Sequence, residues 1–397
     1  MSKALLLSGF RILDASRVLA GPYCAMMLGD LGAEVIKIER PETGDQTRAW
    51  GPPYLTSESA YYLSTNRNKR SLTLNLKTKS GQAIFKKLVS QSDALVESFQ
   101  VGDLDKLDLG YSSLSCLNSK LVCCSITGYG QTGPWRGRPA YDLAMQAESG
   151  WMGITGEPGG APVRVGVAIL DLFTAHYATQ AILAALMARE RTEQGQHIDI
   201  AMLDCAVASL SYMAQYYLAT GQQPEKMGSK HPTITPYQAF ETQDGYVIVG
   251  AASPEIWMRF CQAIGQSELV SDKKFAQNSS RVANRAELEA ILNPFFKRQK
   301  TEDWIQLLEK HEVPVAPVNS LKQVFGLSQV QVREMLQTVV HPTIESLLLV
   351  GIPIRFGPEP IAIKRPPPLL GQHTEEILLE LGYAREEIEH FRAEGIV

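Results

Sequence analysis

The sequence has no excess of positive charge: 38 lysines and arginines stand against 42 aspartates and glutamates, for a net charge of −4. It therefore lacks the basic footprint of a nucleic-acid-binding chain. Its six cysteines are scattered, with only Cys123 and Cys124 close together, and neighbours on a strand face opposite ways. No disulfide framework is expected, and a reducing compartment fits: cytoplasm, with the mitochondrial matrix left open. Seven histidines show no H-E-x-x-H or other metal-ligand spacing. There is no G-x-x-x-x-G-K-[ST] phosphate loop and no G-x-S-x-G elbow. These absences argue against bound metals, nucleoside triphosphates and elbow-type hydrolases. The opening MSKALLLSGF has too short an apolar run for a secretory leader. No repeat or low-complexity tract is present.

What is there is an ordinary globular composition over 397 residues, 45% hydrophobic and 20% charged. That length allows two or three domains and a large core. Strand patterns at Arg11–Ala15, Ala33–Glu39, Ala94–Ser98, Lys120–Thr127 and His197–Ala201 alternate with helical ones. The helical stretches are Ala20–Leu31, Lys79–Ser90, Asp171–Ala188 and Leu203 toward Leu218. This alternation predicts an α/β fold, a mainly parallel, Rossmann-like sheet covered on both faces. The polar, Gly- and Pro-rich stretch Thr220–Pro236 reads as a linker or active-site loop. A smaller α+β region follows, with a strand at Tyr246–Val249 and helices near Pro254–Ile264, Arg285–Leu292 and Thr301–His311. The tail has strand patterns at Val339–Thr343 and Leu347–Val350 and helices at Glu375–Leu381 and Arg385–Glu394. The expected organisation is a large first domain over 1–220, a linker and small domain over 221–330, and a segment over 331–397 returning to the large domain.

Gly128-Tyr-Gly-Gln-Thr-Gly133 follows a strand and matches a dinucleotide fingerprint. Pro134 and Pro139 make a poor opening for the helix that fingerprint requires. No nicotinamide cofactor is expected. Arg40, Asn66-Arg-Asn-Lys-Arg70, Lys77 and Lys106 lie at the edges of predicted elements. In α/β sheets such cations bind phosphate, or simply form a solvated rim. Leu19-Ala-Gly-Pro22 opens a helix directly after a strand, where free N–H groups admit an anion.

Asp171 is the only formally charged residue between Arg164 and Arg189. The apolar run around it has the length of a membrane span. Its Asp171, Thr174, His176, Tyr177, Thr179 and Gln180 instead suggest a helix buried in a large soluble domain. Asp171 could cap a helix beginning at Leu172, or it could do chemistry.

The motifs together resemble class III CoA-transferases over the whole chain. They are VLAGPY (18–23), LGAEVIKIERPETGDQTR (31–48), NRNKRS (66–71), RPAYDLAMQA (138–147) and GVAILDL (166–172). GPPY (51–54), ESAYYLSTNRNKRS (58–71), SITGYGQTGP (125–134), PYQAFETQDGY (236–246) and RPPPLLGQHT (365–374) are most similar to the succinate–hydroxymethylglutarate (glutarate) branch. The resemblance implies an interlocked-ring homodimer that uses a CoA thioester as co-substrate, without a metal. It puts a nucleophilic aspartate at Asp171 and CoA contacts at Leu19, Ala20, Arg40, Leu74, Lys77, Phe99 and Lys106. It also implies a Tyr-acidic pair at Tyr141 and Asp142 beside the site, Tyr141 among the cofactor contacts, and acyl-side aromatics at Trp50 and Tyr61.

Two departures narrow it. The oxalate-using branch has a glutamine at the place of Leu19 and a glycine-run lid where this chain has Met227-Gly-Ser-Lys-His-Pro232. The racemase branch has a histidine where Tyr141 stands. The expected reaction moves CoA from an acyl-CoA, succinyl-CoA first, to a dicarboxylic acid through aspartyl anhydride and aspartyl-CoA intermediates. Formyl-CoA:oxalate-type transfer, another acyl-CoA:carboxylate transfer, acyl-CoA racemisation and non-catalytic acyl-CoA binding are the alternatives. Hydrogen bonds are expected to hold Asp171 ionised. Oxyanion donors are expected near Gly128–Gly133 or Gly228, and Arg164, Lys230 and His231 are candidates for the distal carboxylate.

Overall fold

A computed structural model describes residues 6–397; residues 1–5 of the apolar opening considered as a leader lie outside the described residues. The chain forms two compact units. The first runs to Trp151 and takes in Val165–Thr220 and Ser328–Val397; the second comprises Met152–Arg164 and Gly221–Leu327. Residues 152–164 thus group with the second unit instead of with a first segment unbroken over 1–220. The reason is local: Gly228 N–H donates to Gly156 O, and Lys226 Nζ donates to the carbonyls of Gly160 and Ala161.

The first unit is built on a six-stranded parallel sheet. Its strands are β1 (Arg11–Ala15), β2 (Glu34–Glu39), β3 (Lys69–Thr73), β4 (Ala94–Glu97), β5 (Val122–Thr127) and β6 (Gln196–Ala201). Their order is β3-β2-β1-β4-β5-β6. The order reverses between β1 and β4, and in such sheets ligands bind beyond the strands' carboxyl ends at that switch point.

Apolar residues line both faces, as burial of a parallel sheet on both sides demands. On one face Leu13, Ile36, Leu72 and Leu95 pack with Phe85 and with Ile377 and Ile388 from the chain's last two helices. On the other, Ile12, Val35, Val96 and Val122 pack against helices Ala20–Asp30 and Ile169–Thr192. Cys123 and Cys124 fall on opposite faces. The tail is stitched to β3: Asn68 N–H donates to Arg365 O and His373 N–H to Ser71 O.

Several local expectations need correction. β3 was hidden in the sequence because its first residues, Lys69 and Arg70, are charged yet buried. The expected helix from Leu203 toward Leu218 is two helices, Met202–Ser209 and Ser211–Thr220, parted where Ser211 takes φ +50°. The strand expected at Val339–Thr343 lies at Leu336–Val339, paired antiparallel with Leu347–Val350. Asp171 does not cap a helix. That helix starts at Ile169, which puts Asp171 at its third position.

The second unit has its own core. An antiparallel sheet of Tyr237–Glu241, Tyr246–Gly250 and Val315–Pro317 packs Phe240, Val247 and Val249 against Trp257, Phe260 and Phe296 from its helices.

Candidate active site

The β1–helix connection (16–19) sits at the switch point and is held in a strained form. Val18, a β-branched residue, takes φ +71°, which costs backbone energy. Its N–H donates to the Asp45 carboxylate at 3.3 Å, and Asp45 is held by Lys37 at 3.0 Å and by the N–H and hydroxyl of Thr47. Beneath them Asp14 pairs with Lys69 at 2.8 Å and Lys37 at 3.7 Å, all three fully buried. Burial alone would raise the Asp14 carboxyl; the two ammonium charges bring it down to about 2. Lys69 also donates to Pro22 O and Asn66 Oδ1.

Two cavities open here and share Arg17 and Phe99. The larger, about 590 Å³, is lined by Arg17, Arg40, Lys77 and Lys106 among others. Leu74 also lines it. Of the expected cations, then, Arg40, Lys77 and Lys106 come together, and Lys106 also pairs with Asp103 at 2.8 Å. The 66–70 cations are different: they are not a rim. Arg67 is bound to Asp30, Lys69 to Asp14, and Arg70 to Glu34, Glu376 and Glu380.

The smaller cavity, about 300 Å³, is lined by Asp171 together with Ala20, Phe99, Gly128 and Tyr141. Arg17, Arg136 and Arg138 also line it. Ala20 and Gly21 begin the Ala20–Asp30 helix, whose N-cap, Leu19, offers no side-chain hydrogen bond. Gly21 permits close approach: a Cβ there would overlap the Ser16 side chain.

Asp171 is 9% exposed. Burial, and next to it the charge of Asp142, push its carboxyl up from 3.8 to about 7. Among the described residues no group donates a hydrogen bond to its carboxylate, so the expectation that such bonds hold it ionised is overturned. The acid that caps the helix is Asp142, which accepts Leu170 N–H at 2.8 Å and is itself held by Gln146 Nε2 at 2.6 Å. Gln146 in turn accepts Val165 N–H at 2.9 Å. Tyr61, in edge contact with Trp50 at 5.4 Å, belongs to the same neighbourhood. Burial and then the charges of Asp171 and Asp142 raise its phenol to about 12.

The remaining expectations divide. Leu19, Trp50, Tyr61 and Asp142 line neither cavity. Arg164, Lys230 and His231 belong to the second unit. There Lys230 pairs with Glu289 at 2.7 Å, His231 packs edge-on against Tyr237, and Arg164 is exposed. Two of the expected oxyanion donors are already engaged: Gly228 N–H by Gly156 O and Gly130 N–H by Thr127 Oγ1. The glycines from Gly128 open no helix; the next one begins at Asp142. Among the described residues no cluster of His, Cys, Asp or Glu could hold a metal ion. Arg17 and Arg136 escaped the sequence reading. A cation two residues beyond the end of β1 signals a site only when the strand order is known.

The arrangement is a buried, weakly solvated carboxylate beside a helix N-terminus, next to a cavity lined by five cations, Arg17, Lys37, Arg40, Lys77 and Lys106. Residues 7–374 match the model for CoA-transferase family III. The succinyl-CoA:glutarate CoA-transferase of Mus musculus is 44% identical over 392 residues, 98% of this chain and 90% of that protein. The succinate–glutarate CoA-transferase of Agrobacterium fabrum is 41% identical, over 94% of this chain and 95% of that protein. Among solved structures, a CAIB/BAIF family protein from Brucella suis is similar, with a TM-score of 0.85 and 40% identity. That match covers 96% of this chain and all of the other. With a family match over residues 7–374 and identity at this level along nearly its whole length, the chain belongs to CoA-transferase family III.

Proposed function

We propose that this enzyme transfers CoA from succinyl-CoA to glutarate or a closely similar dicarboxylic acid, with Asp171 as nucleophile. The observation that carries this reading is the buried Asp171 carboxylate, raised to about 7, in one cavity with the uncapped N–H groups of Ala20 and Gly21. The names of the mouse and Agrobacterium relatives support the choice of acids.

In this reading the CoA phosphates lie with Arg40, Lys77 and Lys106 in the larger cavity, and Leu19, Leu74, Phe99 and Tyr141 flank the cofactor. The thioester reaches Asp171 past Arg17 and Phe99, which line both cavities. A poorly hydrated carboxylate is a strong nucleophile. Asp171 attacks the succinyl carbonyl, the C–S bond breaks, and CoA leaves as thiolate, giving a mixed anhydride. The thiolate then attacks the aspartyl carbonyl and releases succinate, leaving an aspartyl-CoA thioester. The acceptor carboxylate attacks that thioester, forming a second anhydride and freeing the thiolate. The thiolate attacks the acceptor-derived carbonyl, giving the new acyl-CoA and free Asp171. Each addition builds an oxyanion that Ala20 and Gly21 N–H can meet. Trp50, Tyr61 and Asp142 bound the acyl side.

A homodimer of interlocked chains is part of the proposal. The Ser211–Thr220 helix buries none of its residues, and Met187, Val207, Tyr217 and Leu218 are exposed. Light scattering that gave a monomer would remove this part.

Intact-protein mass spectrometry after mixing with succinyl-CoA tests the chemistry. An adduct mapping to Asp171, cleaved by hydroxylamine and absent from Asp171→Ala, is expected. No adduct on a chain that still binds CoA would overturn it.

A further inference from the structure

We infer that Arg136 is the specificity-determining cation that holds the distal carboxylate of the dicarboxylic substrate. The inference rests on the proposed transfer reaction and names how its acid is chosen.

The cavity that contains Asp171 has four ionic side chains in its wall: Asp171 itself, Arg17, Arg136 and Arg138. Arg138 is engaged, paired with Glu148 at 2.8 Å and lying over the rings of Trp135 and Tyr129. Arg17 is half-buried over Phe99, and burial and then the charge of Arg40 lower its pKa. It also lines the larger, cation-rich cavity, so it lies toward the phosphate-bearing cofactor. Arg136 is exposed, and among the described residues its guanidinium has no hydrogen bond or ion pair. The Arg17 guanidinium likewise makes no ion pair or hydrogen bond, but it lies over Phe99 and is shared with the larger cavity, whereas Arg136 lines the Asp171 cavity and not the larger one. Gly133, at φ +85°, and Gly137 lie on either side of Arg136 in sequence.

A dicarboxylate bound with one carboxyl at Asp171 must place its second where a cation can receive it. Guanidinium does so with two parallel hydrogen bonds. Lys230 is paired with Glu289 and lines neither cavity, and Arg138 is paired with Glu148. Succinyl-CoA carries the same free carboxylate, so Arg136 serves donor and acceptor in turn. A substrate of equal length that lacks it gains nothing from Arg136.

The test compares wild type, Arg136→Gln and Arg136→Lys in two readouts: the KM for glutarate, and the rate of Asp171 adduct formation from succinyl-CoA and from butyryl-CoA. Loss of a charged hydrogen-bonding pair should raise the glutarate KM of Arg136→Gln by roughly 10- to 100-fold. The preference for succinyl-CoA over butyryl-CoA should fall by a similar factor, with partial recovery in Arg136→Lys. Because Arg136 is exposed, folding is not at stake, and unchanged CoA binding confirms it. An unchanged KM and an unchanged preference would overturn the assignment. If wild type itself forms no adduct at Asp171, the transfer reading fails, and the assignment falls with it.

Discussion

The Asp142 carboxylate accepts the N–H of Leu170 at 2.8 Å and lies 3.4 Å from the N–H of Asp171. One acid therefore caps the helix that carries the nucleophile and, by its charge, helps keep that nucleophile basic. Asp142→Asn keeps an acceptor for Leu170 while removing the charge. In wild type, kcat/KM should fall tenfold per pH unit below about 7, where Asp171 takes up its proton. In Asp142→Asn the midpoint should move down but stay above the ordinary 3.8, because burial is the larger cause. Rate profiles from about pH 5 to about pH 9 would show it; a midpoint unmoved by the substitution would refute the charge coupling.

Folding raises the Asp171 carboxyl from 3.8 to about 7, so the folded chain holds this proton more tightly than the unfolded one. The stability this contributes is complete below about pH 4 and is lost as pH rises through about 7. Asp171→Asn has no charge to bury. It should match wild type near pH 4 and exceed it by up to about 4 kcal/mol near pH 8, at about 1.4 kcal/mol per unit. Urea midpoints at the two pH values are the measurement.

Removing Asp14 from the buried charge cluster leaves Lys69 without a carboxylate partner. Asp14→Ala should cost roughly 3–5 kcal/mol. Adding Lys69→Met should recover much of that, since Lys37 keeps Asp45 at 3.0 Å. Additive losses in a double-mutant cycle would mean that Asp14 and Lys69 do not act as a pair.

Gly21→Ala sets a methyl group against the Ser16 side chain and should push the first turn of the Ala20–Asp30 helix away from the Asp171 cavity. The expected result is a large loss of kcat with little change in helical content, partly relieved by Ser16→Gly. Full activity in the single variant would show that the helix start can move freely.

Much of this fold was legible because its elements keep one period: Arg11–Ala15 and Leu347–Val350 carry their full patterns locally. Asp171 stood out because no other charge lies near it in sequence. What failed was whatever depends on distant partners. Lys69 reads as a surface lysine until Asp14, 55 residues away, is placed beside it. The cap on the nucleophile's helix comes from Asp142, 28 residues before Leu170, so the local reading gave the capping role to Asp171 itself. Arg17 and Arg136, which follow β1 and β5, come to one cavity only once β4 is known to lie between those strands.

The buried lysines have one more consequence. In the proposed reaction this chain handles a thioester that acylates any amine it can reach. Lys77 and Lys106, exposed on the larger cavity, stand in its path. Lys37 and Lys69 expose no surface and lie among carboxylates. Stray succinylation would thus mark the cavity rim and spare the sheet's interior, so the enzyme would lose its grip on cofactor before it lost its fold.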